Sequence, residues 1–455
     1  MRALHELRTG WPSAVITGLL VTDLVADPSI HQHVAVLAVI SVLVCVAVVR
    51  AKWSTPVLAV CIGVLLVVAV AERPVGTDLW SYQAYGRILS VQHHNPYVAV
   101  PADFPDDPVM GRVSDLYQDV PSAYGPVFTG GAAAVAAATG TSEPAGRLAW
   151  QIIGGAGLLL ALWLLRRRGV GTDAIAVIAL SPVAVEELVH LAHNDVLVGV
   201  AILGGCLLAA RDRFVPAAVL LAVAALVKAP SALALVVLVL WLAASGRRRE
   251  AIRSAGAAAL LAVATLTPFG IVTAVRAMLE TSPRLNATSI WNLAAGHWEM
   301  FVHRPLVSGD RTAGPVVVTA SLLAPLAVAG WAAYRMRGRP LHEPVTVALL
   351  GWMVFSLAPA SWYVGWMLPL VALWSLRERL LLAGFTCLVL VTSQAWLMPV
   401  AALITAGHLA PLDRLPALLL GVSTVAGIAL LADLSGARRV SVIRIPAAAA
   451  EPPPR

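Results

Sequence analysis

The sequence predicts an all-α polytopic membrane protein with a bundle of about 14 transmembrane helices. Hydrophobic residues make up 59% of the 455 residues, charged residues make up only 13%, and the mean hydropathy is +0.81. A soluble chain of this length could not bury so much apolar surface, so lipid must form part of its surroundings. The apolar residues also form continuous runs near the length of about 17–25 residues that a membrane helix needs.

Charge separates the two faces of the predicted bundle. Most Lys and Arg residues fall in loops on the side of the N-terminus, including the triplets at 166–168 and 247–249, and most Asp and Glu residues fall in the opposite loops. Basic loops stay in the cytoplasm, so we expect a plasma-membrane protein with both termini cytoplasmic. The net charge of +7 is therefore a topology signal, and we expect no nucleic-acid partner.

The apolar runs divide the chain into four parts. Residues 1–72 are predicted N-terminal transmembrane helices, 73–146 an external catalytic loop with juxtamembrane helices, 147–434 a transmembrane bundle with an external loop at 270–314, and 435–455 a disordered cytoplasmic tail. The predicted spans are 12–27, 33–50, 55–72, 147–165, 173–189, 196–210, 214–227, 231–245, 251–269, 315–334, 343–358, 363–376, 380–397 and 415–433.

The run at 127–139 is alanine-rich and short. If it crossed the membrane, the next span would place the arginines at 166–168 outside, against the charge rule. We therefore expect an interfacial helix or one that dips in from outside, although the sequence leaves crossing open.

Asp78 directly follows the third span and precedes the longest polar stretch of the chain. Few ionisable residues lie within the spans, whereas a coupled transporter needs charges or broken helices near the midplane. This pattern favours an outward-facing site for a substrate with a lipid tail and a polar head, over a multispan transporter or lipid flippase. Asp78 is the candidate catalytic residue, and the alternative role is a helix cap.

Two further polar groups have competing interpretations. His190, His193 and Asp195 suggest a metal site, but no fourth ligand is evident, so contact with substrate or a polar network between helices is favoured. Lys228 opens a break at Pro230 and either binds a lipid phosphate or extends its amine to the interface. Most tryptophans belong to the interfacial aromatic belt or to packing.

Short motifs occur in a characteristic order on the predicted outer side. They are Asp78-x-x-x-Tyr82, Asn95-Pro96-Tyr97, Tyr124-Gly125-Pro126, His193-Asn194-Asp195 and Lys228-Ala229-Pro230. With these motifs in this order, the chain resembles the GT-C superfamily of glycosyltransferases. The likeness is greatest to the actinobacterial polyprenol-phosphomannose-dependent mannosyltransferases that build α-1,6 mannan on lipoglycans. The resemblance covers most of residues 73–376.

The resemblance implies a GT-C-like bundle and a reaction on the extracytoplasmic face. A sugar, mannose by resemblance, would pass from a polyprenyl-phosphate donor to a lipid-linked glycan acceptor, with inversion, without metal or cofactor, and among membrane lipids. Asp78 would be the general base. Cations would hold the phosphate: Arg87, Lys228 and His297. Substrate-binding residues would be Tyr82, Tyr124, His193, Asn194, Asp195, Trp291, Trp362 and Tyr363. Residue spacing distinguishes neither mannose from arabinose nor one linkage from another.

Overall fold

The computed structural model describes residues 2–25, parts of 36–47, 53–74, 78–280, 289–291, 315–397 and 415–436. Across those residues the chain is helical and contains no β-strand. The all-α prediction is confirmed there. The predicted tail at 435–455 lies almost wholly outside the described residues.

The α-helices up to the middle of the chain are α1 (Arg2–Val25), α2 (Thr55–Ala71), α3 (Asp78–Ser90), α4 (Pro126–Thr139), α5 (Glu143–Arg167), α6 (Thr172–Ala179), α7 (Asp195–Ala209) and α8 (Phe214–Val227). Those that follow are α9 (Ala232–Ala244), α10 (Arg248–Leu266), α11 (Ile271–Glu280), α12 (Pro315–Arg335), α13 (His342–Phe355), α14 (Leu368–Val371), α15 (Leu376–Leu397) and α16 (Leu415–Gly436). A π-helix covers Val183–His190, and a 3-10 segment covers Ser361–Trp366.

Within the described ranges, three helices are long and apolar enough to cross a membrane: Glu143–Arg167, Arg248–Phe269 and Pro315–Arg335. The pair Val183–His190 and Asp195–Ala209 bends by 115° and would make a fourth if it forms one span. Several other apolar helices are shorter, including α2, α4 and α8. The count of about 14 spans therefore stays a prediction.

Two predicted spans differ from the structure. The span at 173–189 is two pieces, α6 and the π-helix, separated around Pro182, whose ring nitrogen cannot donate a helical hydrogen bond. The span at 363–376 is not one helix. It is the end of the 3-10 segment, the four-residue α14, and a turn before α15. Proline in this stretch, at 369, again limits helical hydrogen bonding.

The loop between α3 and α4 packs against α3 and is shaped by 3-10 turns at Pro101–Asp103, Met110–Arg112 and Asp115–Tyr117. Helix α3 crosses α4 so closely that a Cβ added at Gly86 would collide with the carbonyl of Ala132. This approach fixes the direction of α3, which carries Asp78 at its first turn.

Candidate active site

Asp78 is the first residue of α3, where the unsatisfied amides of the helix start favour a negative charge. Its side chain is 30% exposed, and its Oδ2 lies 3.4 Å from Nε2 of His193. Burial works to raise the pKa of the Asp78 carboxyl. The hydrogen bond to His193 and the charges of His193 and Lys228 outweigh that effect and leave the pKa below its usual value. Asp78 is therefore an ionised carboxylate that a ligand can reach.

His193 lies in the break between the π-helix and α7. Its Nδ1 donates to the carbonyl oxygen of Glu187 at 2.9 Å and lies 3.3 Å from Oε2 of the same residue. The ring stacks on Trp362 with 4.3 Å between centroids and 13° between planes. Burial works to lower the pKa of His193, but hydrogen bonds and attraction from Asp78 and Glu187 raise it to about 10. The ring is therefore a cation at neutral pH.

The backbone immediately before His193 adopts an uncommon conformation. Ala192 has a φ of +59°, in the left-handed region that residues with a side chain seldom occupy. Such strain persists only where surrounding contacts fix it, and it is concentrated at functional sites. Here it turns the chain from the π-helix into α7 and directs the His193 ring towards Asp78.

Lys228 and Asp195 form a buried ion pair beside this centre. Lys228 Nζ lies 2.9 Å from Asp195 Oδ2 and 3.1 Å from Oδ1, and the two side chains are 13% and 0% exposed. Nζ also lies 4.6 Å from the ring centroid of Tyr363, a cation–π contact, while the indole N–H of Trp366 donates to Asp195. The break at Lys228-Ala229-Pro230 is confirmed, since α8 ends at Val227 and Lys228 is extended.

Asn194 connects the ion pair to α3. Its Oδ1 accepts from Lys228 Nζ at 3.4 Å, and its backbone N–H donates to the hydroxyl of Tyr82 at 3.3 Å. Because Lys228 can only donate, the amide oxygen must face it and the amide nitrogen must point elsewhere. That nitrogen is buried and has no hydrogen-bond partner in the described part of the chain. Asn194 thus presents a donor for which the described residues offer no acceptor.

Tyr82 and Tyr124 form an aromatic wall next to Asp78. Their rings meet edge to face at 5.2 Å, and Tyr82 also contacts Phe128 and Trp150 at 5.0 and 5.2 Å. Tyr82 is one turn after Asp78, so both side chains lie on the same face of α3. The wall is apolar except at the tyrosine hydroxyls.

The Tyr124-Gly125-Pro126 motif contacts the Lys228 motif directly. The Gly125 N–H donates to the carbonyl of Val227 at 3.0 Å, and a Cβ added at Gly125 would collide with the carbonyl of Leu226. Tyr97 secures this contact, because its hydroxyl donates to the carbonyl of Tyr124 at 2.8 Å. Motifs more than a hundred residues apart therefore share one surface.

Two predicted residues make other contacts, and a third lies outside the described residues. Arg87 makes an ion pair with Asp107 at 2.7 Å, and both side chains are nearly buried, so its guanidinium is engaged with the loop between α3 and α4. The indole N–H of Trp291 donates to the carbonyl of Phe355 at 2.7 Å. His297 lies outside the described residues. The roles assigned to these three residues from sequence stay predictions.

The sequence suggested Glu187 only as a member of a polar network between helices, and it did not place Ser361 or Trp366 in the site. The structure brings Glu187 and Ser361 together, since the Ser361 hydroxyl donates to Glu187 Oε1. A glutamate within an otherwise apolar stretch was the available sequence signal for Glu187. Ser361 and Trp366 carry no comparable signal.

The arrangement of acidic and imidazole groups bears on metal binding. His190 has its Nδ1 3.2 Å from the carbonyl oxygen of Ala69, whereas His193 lies against Asp78 and Glu187. In the described ranges, no group of three or more His, Cys, Asp or Glu residues is placed to hold a metal ion. Metal independence itself stays a prediction.

Comparison with known families identifies the segment that carries most of this site. Residues 68–244 match the family model "Alpha-(1->6)-mannopyranosyltransferase, N-terminal domain". The resemblance to α-1,6-mannosyltransferases is confirmed. The matched segment contains Asp78, His193 and Lys228, whereas Trp362 and Tyr363 lie beyond it. Neither the curated proteins nor the solved structures give a match to the chain.

The match supports mannosyl transfer as the activity of the chain. A glycosyltransferase has a sugar donor and a glycan acceptor as its partners in general terms. Together with the apolar helices, the match also indicates a membrane protein.

Proposed function

We propose that this chain is a membrane glycosyltransferase that moves mannose from a polyprenyl-phosphate donor to a lipid-linked glycan acceptor. The reaction takes place on the extracytoplasmic face of the plasma membrane and inverts the anomeric carbon. One observation carries the proposal: Asp78 is an accessible carboxylate, held by His193, within the segment that matches mannopyranosyltransferases.

Asp78 acts as the general base of the transfer. Its carboxylate takes the proton of the acceptor hydroxyl while that oxygen forms a bond to the anomeric carbon. The bond from this carbon to the phosphate oxygen breaks, and its electron pair leaves with polyprenyl phosphate. A second carboxylate is not required, because a phosphate leaves without being protonated, unlike the sugar hydroxyl released by a glycosidase.

Lys228 and Asn194 hold the departing phosphate. Asp195 and Tyr363 fix the Lys228 ammonium in place, and the amide nitrogen of Asn194, which has no acceptor among the described residues, offers a neutral donor next to it. Phosphate oxygens accept from both kinds of donor, and charge-assisted hydrogen bonds strengthen as negative charge develops. This pair of donors takes the role assigned from sequence to a larger set of cations.

The aromatic residues bind the sugars. Trp362 is half-buried, stacks on His193, and lies 5.8 Å from the ring of Tyr363. Tyr82 and Tyr124 lie near the Asp78 carboxylate, whose charge adds to burial in raising the pKa of both phenols. Flat rings near this carboxylate suit the apolar faces of a hexose, which large amphipathic side chains can cover while their polar atoms reach hydroxyls.

The proposed chemistry needs no metal or cofactor, because polyprenyl phosphate is already a good leaving group. Treatment of the purified protein with a chelator should therefore change its transfer rate little. Strong inhibition that a divalent ion reverses would contradict this part of the proposal.

The donor class is tested with purified protein, a lipoglycan acceptor and two mannose donors labelled with the same isotope. We expect transfer from polyprenyl-phosphate mannose and none from a nucleotide-activated mannose. Transfer from the nucleotide sugar would contradict the proposed donor. If the protein uses neither mannose donor but transfers arabinose from its polyprenyl phosphate, the sugar is wrong and the donor class is right. If no donor is used, transport becomes the leading function.

A further inference from the structure

Glu187 is a buried carboxylate that the transfer mechanism above does not use. Its side chain is 1% exposed and belongs to the π-helix Val183–His190. Such π-helical turns occur frequently at functional sites. A carboxylate removed from water is costly unless hydrogen bonds and an opposite charge compensate it. The groups around Glu187 therefore indicate its role.

His193 is the cation that faces Glu187. The imidazole Nδ1 lies 3.3 Å from Glu187 Oε2 and also donates to the Glu187 carbonyl oxygen at 2.9 Å. The backbone N–H of His193 donates to that same carbonyl at 3.0 Å. On the far side of the carboxylate, Ser361 donates its hydroxyl to Oε1. Glu187 is thus fixed between the 3-10 segment and the imidazole ring.

The opposite edge of the same ring faces the proposed base. Nε2 of His193 lies 3.4 Å from Asp78 Oδ2, and Trp362 covers one face of the ring at 4.3 Å. Because the ring is stacked and held at both nitrogens, it has one orientation. Glu187, His193 and Asp78 therefore form a line of carboxylate, imidazole and carboxylate.

We propose that Glu187 is a positioning residue that holds His193 as a doubly protonated imidazolium, placing a fixed positive charge beside Asp78 and the leaving phosphate. The effect on catalysis rests on the proposed function, whereas the charge state of His193 does not. A neutral imidazole carries one N–H, yet both ring nitrogens of His193 face oxygen acceptors: Nδ1 faces the Glu187 carbonyl and Nε2 faces the Asp78 carboxylate, so only the imidazolium supplies both protons.

The other charges near His193 favour the same assignment. The carboxylates that face the ring come from two elements, Asp78 from α3 and Glu187 from the π-helix. The 3-10 segment contributes the uncharged Trp362, and Lys228 is already matched by Asp195. His193 therefore compensates part of the negative charge of Asp78 and Glu187. Without this cation, the two carboxylates would repel the negative charge that develops on a nearby leaving group more strongly.

The charge state is tested by nitrogen NMR of protein labelled with ¹⁵N-histidine, with a His193→Gln variant to assign the resonances. We expect both ring nitrogens of His193 to carry protons at pH 8 in the wild type. In Glu187→Gln, the side chain keeps its size and loses its charge, and we expect the pKa of His193 to fall by about 1–3 units. Glu186→Gln is the matched control, because Glu186 is the half-buried neighbour in the same π-helix, and it should leave the His193 resonances unchanged.

The consequence for catalysis is tested by the pH dependence of mannose transfer. Glu187→Gln should move the alkaline limb of kcat/KM to lower pH by the same interval as the NMR shift, while Glu186→Gln follows the wild type. A neutral His193 in the wild type at pH 8, or an unchanged titration in Glu187→Gln, would overturn the assignment. If Glu187→Gln does not fold, the protonation state of His193 in the wild-type spectrum tests the assignment alone. Absent transfer in a wild type whose His193 is cationic would reject the proposed function and leave the assignment of Glu187 intact.

Discussion

Lys228 lies at the break between α8 and α9, and its neighbours determine how its ammonium group can bind a phosphate. Asp195 contacts it with both carboxylate oxygens, and Asp195 is fully buried. Breaking a buried pair by removing one partner is far more costly than removing both, because the remaining charge stays in a low-dielectric site. The ammonium is therefore held in place before any donor arrives.

Lys228→Gln should destabilise the protein by about 3–5 kcal/mol, because Asp195 would be left buried without its cation. The double variant Lys228→Gln/Asp195→Asn should recover most of that stability while still lacking the proposed phosphate contact. Thermal and denaturant unfolding in detergent measures the first effect, and donor affinity measures the second. A double variant less stable than Lys228→Gln would show that the pair does not behave as a unit.

The pKa of His193 predicts a pH dependence of stability. Because the folded state raises the pKa from 6.5 to about 10, the folded protein binds the proton more tightly than the unfolded chain does. The stabilisation is therefore full below about pH 6.5 and is lost as pH rises through about 10. Asp78 acts in the opposite direction: its lowered pKa stabilises the fold above pH 3.8, and this contribution is lost as pH falls further.

Thermal unfolding of the wild type and of His193→Gln between pH 6 and pH 10 tests the predicted contribution of His193 to stability. The difference in melting temperature between the two proteins should shrink as pH rises across this range. Two curves that stay parallel would mean that His193 gains no proton on folding.

At the scale of elements, close backbone contacts align the parts of the site. Gly125 approaches the last turn of α8 so closely that its N–H reaches the carbonyl of Val227 and no Cβ would fit. Its φ of −72° is ordinary, so close approach and not backbone conformation requires glycine here. This contact sets the distance between Tyr124 and Lys228.

Gly125→Ala should lower both stability and transfer, because the added methyl group must displace the backbone of Leu226 next to Lys228. Gly130→Ala in α4 is the control. Open space surrounds that position, so alanine should be tolerated and should stabilise the helix by about 0.5–1 kcal/mol. Equal behaviour of the two variants in unfolding and transfer assays would show that the Gly125 contact is not needed.

The apolar runs predicted helix positions well where a long apolar run forms one regular helix. The predicted run 214–227 coincides with α8, and 55–72 and 315–334 end within one residue of α2 and α12. Hydrophobicity could not reveal the π-helix or the 3-10 segment, because both are as apolar as a regular helix. Their geometry depends on prolines and on contacts with other elements.

At the scale of the whole molecule, the distribution of Lys and Arg predicts which loops lie on each side of the membrane. It places the loop at 73–146 outside and the arginines at 247–249 inside. The four cysteines of the chain all lie in apolar runs, so a cysteine introduced into a loop should be the main site for a hydrophilic thiol reagent.

Asp103→Cys should react with a membrane-impermeant maleimide on intact cells, because the outer loop carries this position. Arg249→Cys should react only after the membrane is made permeable. Reaction of Arg249→Cys in intact cells would contradict the topology and place the candidate site on the cytoplasmic side.

The sequence indicated the members of the site better than their arrangement. Asp78, His193 and Lys228 were chosen as polar residues on one predicted face, and the fold brings them into one cluster. Their pairing could not be predicted, because it depends on contacts between α3, the break before α7 and the break after α8. Arg87 illustrates the difference: it was predicted to hold a phosphate, and the fold pairs it with the buried Asp107.

The most direct test of the account compares transfer from labelled polyprenyl-phosphate mannose by the wild type and by Asp78→Asn, with Asp119→Asn as control. Asp119 is an exposed carboxylate of the same outer loop. Loss of the general base should reduce the transfer rate of Asp78→Asn by about 10²–10⁴-fold, while its donor affinity and the activity of Asp119→Asn stay near wild type. Near-normal turnover by Asp78→Asn would contradict the account, because the accessible carboxylate at the start of α3 would then not be the base.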